Sequence, residues 1–188
     1  MNIRAQSEKG FSLIELLVVV AIIGVLAAVG VVGYQGYIDS TKKSVTDANA
    51  KAVHQWLTNT KTVRAAGIDT DPSECKATEL TTSSSAATAV GSSGCFGKLG
   101  LSGGPFESFK NPYETTRTGS NAIRAVNNTT SVTSSTNCIS LMSGSKMGDI
   151  IVRVSGSDPT KHIDVYFCAK NDGTDDRLTK RDTTIKNF

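Results

Sequence analysis

From Leu16 to Gly33 the chain runs through 18 consecutive residues, LLVVVAIIGVLAAVGVVG, without one charged or polar side chain. As a helix at ~1.5 Å per residue this run spans ~27 Å, close to the hydrocarbon core of a bilayer. The ten residues that open the chain, MNIRAQSEKG, are polar and carry Arg4 and Lys9. Basic residues before an apolar run hold its N-terminus on the cytoplasmic side. Targeting and anchoring are therefore the first tasks assigned to this segment.

One carboxylate, Glu15, stands at the head of the run, four positions after Phe11. A bare charge at membrane depth costs several kcal/mol (roughly 2.5–3.5 on insertion scales) unless it is protonated, paired or near the interface. An ordinary anchor with Glu15 at the headgroup boundary satisfies that condition; a secretory signal cut near Ala28-Val29-Gly30 is the other reading, offered by the small residues there, but such signals lack an early Glu. A signal-peptide core, however, runs only about 7 to 15 residues.

The stretch K-G-F-S-L-I-E-L-L, Lys9 to Leu17, resembles the class III signal of type IV pilins, pseudopilins and related competence proteins. The resemblance implies cleavage between Gly10 and Phe11 by a membrane-embedded prepilin peptidase, N-methylation of Phe11, and retention of the apolar helix as the new N-terminus. Gly10, without a Cβ, lets the protease approach the backbone, and the amine created at Phe11 offers a partner for a carboxylate. In this family the corresponding Glu is thought to pair with the N-terminal amine of a neighbouring subunit, which makes Glu15 an assembly residue. Many bacterial pilins carry a Pro midway along this helix; here no Pro precedes Pro72, and Gly24, Gly30, Gly33 and Gly36 occupy the interior. Each interior Gly weakens a helix by up to ~1 kcal/mol relative to Ala.

Beyond Ile38, apolar residues at mostly helical intervals (Val45, Ala48, Ala52, Val53, Trp56, Leu57, Val63) predict an amphipathic continuation that stops at Gly67. A Ser-, Thr- and Gly-rich stretch over 69–104 follows, and strands are predicted at Ala122–Val126, Cys138–Met142, Ile150–Val154 and Ile163–Cys168. Ile163, Val165 and Phe167 alternate with Asp164 and Tyr166, the pattern of one buried and one exposed face. The expected fold is α+β: a long N-terminal spine helix packed on a small antiparallel β-sheet head, the arrangement that the resemblance implies. The expected divisions are a 1–10 leader, an 11–38 transmembrane and filament-core helix, a 39–66 amphipathic half-spine and a 67–188 head.

Cys75, Cys95, Cys138 and Cys168 all lie downstream of the apolar run, and none forms a C-x-x-C pair that would point to zinc or a redox centre. Exported disulfides fit this usage. Four cysteines permit three pairings; Cys75 with Cys95 and Cys138 with Cys168 are favoured, closing loops worth ~3 to 4 kcal/mol each by chain entropy.

No catalytic constellation is visible. His54 and His162 are the only histidines, Ser143-Gly-Ser-Lys146 fits S-x-x-K in a Ser-rich composition, and Gly91–Leu99 lacks the spacing and the Ser/Thr of a phosphate loop. No enzyme activity and no cofactor are expected, and ATP hydrolysis falls to a partner. Asp172, Asp175 and Asp176 gather oxygen ligands that are weak calcium candidates, and Asn127–Thr130 holds two overlapping glycosylation sequons. A net charge of +3 is too mild for a dedicated nucleic-acid binder, although the C-terminal Lys and Arg leave DNA a possible ligand.

The expected function is a structural subunit of a type IV pilus, polymerising through its N-terminal helix for adhesion, twitching motility or DNA uptake. The expected partners are copies of itself in a helical filament, the prepilin peptidase and an inner-membrane assembly machine with its ATPase. The inner membrane is the expected location before assembly, and the cell surface afterwards. A type II secretion pseudopilin, or a minor or competence pilin with a DNA-binding head, is the alternative.

Overall fold

The computed structural model describes residues 10–68, 99–100, 104–127, 138, 144–155, 162–171 and 174–186. By contacts the chain divides into two compact units, Met1–Ser40 and Thr41–Phe188. Helix α1, Leu13–Ala65, carries residues of both.

In the first unit α1 is rich in Val, Ile and Gly, none a strong helix former, and its large apolar side chains from Leu13 to Val32 are exposed. In the second unit the helix buries one narrow stripe. Thr46, Ala50, Val53, Leu57 and Thr60 lie within 8% exposure of complete burial, spaced by three or four residues as one helical face requires. The stripe differs from the expected one: Val45 is 43% exposed and Ala48 is also exposed, while Thr46 and Ala50 take the inward positions. Two threonines can lie there because each hydroxyl donates to a carbonyl one turn back, Thr46 to Lys42 at 2.9 Å and Thr60 to Trp56 at 2.9 Å. The helix ends as predicted at Gly67, whose φ of +72° lets the Ile68 N–H reach back to the Val63 carbonyl at 3.3 Å.

Four strands follow a short 3₁₀ turn at Gly119–Asn121: β1 Ile123–Asn127, β2 Ile150–Ser155, β3 His162–Asn171 and β4 Thr174–Lys186, in the spatial order β1-β2-β3-β4. The sheet is mixed rather than antiparallel, because β1 pairs with β2 in parallel, Ile123 opposite Ile150. Residues 128–149 separate them, long enough for the crossover that parallel neighbours need. β2 and β3 are antiparallel, with Val152 opposite Val165, and so are β3 and β4. β4 was not foreseen. Asn171 pairs with Thr174, leaving Asp172-Gly173 between the strands, a dipeptide favoured in two-residue hairpins.

The main core lies between the helix stripe and one sheet face: Ala50, Val53 and Leu57 against Ile150, Val152, Val154, Ile163, Val165 and Phe167. Trp56 packs edge-on to Phe106, with ring centroids 5.8 Å apart. The opposite sheet face is buried as well, which corrects the expectation of an exposed side. Ile151, Tyr166, Cys168 and Cys138 cluster there, and Asp164 is buried because it pairs with Arg153 at 3.4 Å and accepts from the Thr184 hydroxyl at 2.6 Å. Cys138 is joined to Cys168 by a disulfide, Cα to Cα 5.9 Å. Cys138 itself has helical backbone, not the strand expected to begin there; Ile139 to Met142 lie outside the described residues.

Candidate functional site

Residues 10 to 12 precede the helix in non-helical backbone, so the peptide bond between Gly10 and Phe11 lies outside α1. Ser12 is the N-cap position. Its backbone N–H donates to Glu15 Oε2 at 2.9 Å, across the three-residue spacing of a capping box. Glu15 thus closes one of the orphan donors at the helix start and lies where the helix dipole favours an anion. Ser12-x-x-Glu15 is readable as a capping box in the sequence, and Ser12 is the residue that sequence reasoning missed. Both residues are exposed, as is Phe11 at 84%.

A Cβ placed on Gly10 would meet nothing within 4 Å, and the same holds at Gly24, Gly30, Gly33 and Gly36. Among the described residues, no contact requires glycine at these five positions. The 18-residue apolar window of α1 has a mean hydropathy of 3.0 and none of it is buried, which makes this helix long and apolar enough to cross a membrane.

Among the described residues of Thr41–Phe188 a polar cluster surrounds Asp149. Its fully buried carboxylate accepts from Arg117 Nη2 at 2.8 Å, Asn111 Nδ2 at 2.8 Å and the Lys146 N–H at 2.9 Å. Burial pushes this carboxyl above its ordinary value of 3.8, against the opposing pull of the Lys146 N–H, Asn111 and Arg117. Asn111 in turn donates to the Met147 carbonyl at 2.7 Å, while its Oδ1 accepts from the Tyr113 N–H at 2.8 Å. Gly148 holds φ at +84°, and a side chain there would collide with Asn111. The Gly148 N–H donates to the Cys168 carbonyl at 2.7 Å, and the Cys168 N–H donates to the Asp149 carbonyl at 2.9 Å. The cluster is a clasp that ties the 111–117 loop to the disulfide-bearing strand. Arg117 and Asn111 lie 32 and 38 residues from Asp149 in sequence, so no local motif announces their meeting.

The remaining candidates do not converge. Cys75, Cys95 and Asp172 lie outside the described residues, and Asp175 and Asp176 fall within β4 rather than in a turn. Among the described residues no group of three His, Cys, Asp or Glu side chains is placed to hold a metal. His54 is half-buried on α1 and His162 opens β3, in different elements. The phosphate-loop-like stretch 91–98, the sequons at 127–130 and Ser143 are not described beyond the backbone of Asn127, and most of 69–104 is likewise outside the described residues. Lys42 stands over the Tyr113 ring, 5.5 Å from its centroid, which gives it a packing role.

Residues 6–31 match the family model of the prokaryotic N-terminal methylation motif, the class III signal peptide of type IV pilins. Comparison with curated proteins and with solved structures found no match.

Proposed function

We propose that a chain opening on this methylation motif is the structural subunit of a type IV pilus. It enters the inner membrane through α1, is cut after Gly10 and N-methylated at Phe11, and polymerises through residues 11 to 38. The observation that carries the reading is the pairing of the motif at 6–31 with an 18-residue apolar window of α1, none of which is buried. Burial of each Val, Leu or Ile on that helix against neighbouring copies contributes ~1.5–3 kcal/mol, the dominant cohesive term of a filament.

The chemistry of the first residues supports the processing step. The scissile bond lies in non-helical backbone, as a protease needs, and glycine at position 10 answers no packing requirement among the described residues. Glu15 Oε2 is engaged by Ser12, which leaves Oε1 for the Phe11 amine of a neighbouring subunit. That pairing would neutralise a carboxylate entering an apolar filament core.

Electron microscopy of fibres sheared from the cell surface, with mass spectrometry of their subunit, tests the reading. A fibre built of this chain with N-methylated Phe11 as its first residue is expected. Absence of this chain from every fibre, with Phe11 internal to the mature protein, would refute it. A type II secretion pseudopilin shares the same N-terminal logic and is distinguished by a processed Phe11 without surface fibres. Adhesion, motility and DNA uptake are uses of the fibre that the head determines.

A further inference from the structure

We propose that Tyr34 and Tyr37 form an aromatic anchor that lies in the outer headgroup layer of the bilayer and sets the depth of α1 before assembly. The inference rests on the membrane insertion of α1 argued above and adds the residues that fix its position along the bilayer normal. Tyr34 and Tyr37 are the first side chains after Glu15 that combine an apolar body with a hydrogen-bonding tip, apart from Gln35 between them, which has no ring. Counted along the helix axis from Glu15 they lie ~29 and ~33 Å away, which brackets the ~30 Å hydrocarbon thickness. Spaced by three residues, they project from one side of the helix.

Tyr34 and Tyr37 are 66% and 69% exposed, whereas Ile38 and Asp39 immediately beyond them are already half-buried. Most of the surface of each tyrosine is therefore left uncovered by the described residues. A tyrosine in hydrocarbon strands its hydroxyl, and in water it exposes its ring; the headgroup layer satisfies both ends. The charges that follow in sequence, Asp39, Lys42 and Lys43, belong on the aqueous side of that layer, while Arg4 and Lys9 hold the other end. With no proline in the helix and four glycines whose missing Cβ atoms face open space, the apolar run itself offers little to stop it sliding. Polar ends must fix the register instead.

Depth-dependent quenching tests this in the full-length chain, reconstituted into vesicles of phosphatidylcholine and phosphatidylglycerol brominated either near the headgroup end or near the methyl end of the acyl chains. The reporters Tyr34→Trp, Tyr37→Trp and Val25→Trp are introduced singly on a Trp56→Phe background, or with the parent Trp56 signal subtracted. Tryptophan at 34 or 37 is expected to be quenched at least about twofold more by the shallow bromines, and at 25 more by the deep ones, as an interfacial belt requires. If position 25 behaves as expected but both 34 and 37 are quenched mainly by deep bromines or by neither, the anchor is overturned and the span stands. If position 25 is unquenched, the span itself fails and the anchor with it. In a second arm, a Val31→Trp reporter is compared with and without Tyr34→Ala/Tyr37→Ala. A shift of at least about twofold in its deep-to-shallow quenching ratio is expected if the rings set the depth, and an unchanged ratio overturns that role.

Discussion

Glu15 accepts from the Ser12 N–H with one oxygen and is proposed to pair with a neighbouring subunit's Phe11 amine through the other, and substitution can separate the two. Glu15→Ala removes the acceptor for the Ser12 N–H and the charge together, whereas Glu15→Gln keeps an oxygen in place and loses only the charge. Both variants are expected to insert and to be cleaved, read as Phe11 at the mature N-terminus. Loss of filaments in both variants is expected from intersubunit charge pairing; retention in Glu15→Gln alone would instead make capping the essential task, because the amide oxygen still accepts from the Ser12 N–H. Asp149 offers a second test at this scale. The folded carboxyl binds its proton more tightly than the unfolded one, so its contribution to stability is full below pH 3.8 and is lost as pH rises through the raised folded value. Asp149→Asn removes that titration. Denaturant unfolding of the two proteins from pH 3.8 upward is therefore expected to show the difference in stability moving in favour of the variant, and a difference independent of pH would refute the dominance of burial.

At the scale of elements, α1 was legible because length, hydropathy and the Gly67 stop are local properties. Its buried register was not. The expectation favoured hydrophobic type, taking Val45 and Ala48 inward, while the helix buries Thr46 and Ala50 instead, which the threonine tolerates by donating to its own backbone. Leu57→Ala, at a fully buried position, is expected to cost 2–5 kcal/mol, and Val45→Ala no more than about 0.5, in denaturant unfolding of the detergent-solubilised chain. The disulfide from Cys138 to Cys168 spans 30 residues, and its reduction is expected to lower stability by roughly 3–4 kcal/mol. Equal unfolding midpoints with and without reductant would show that the clasp around Asp149 holds this region unaided.

For the whole molecule, the division after Ser40 separates an apolar unit that buries little of itself from one with its own core between helix stripe and sheet. Residues 41–188 expressed alone are expected to remain in solution without detergent and to be excluded from fibres, while the full chain needs detergent; sedimentation with and without detergent reads both. By itself the sequence determined the methylation motif, the helix and its end, the α+β class and the central β2–β3 pairing. Each rests on short-range chemistry: an unbroken apolar run, a glycine with positive φ, and strand alternation around a turn. Only the tertiary structure decided that β1 lies parallel to β2, that β4 completes the sheet, that both sheet faces are buried, and that Asn111, Arg117 and Asp149 meet. Those outcomes depend on which distant segments share a desolvated space, and neither residue type nor spacing along the chain carries that information.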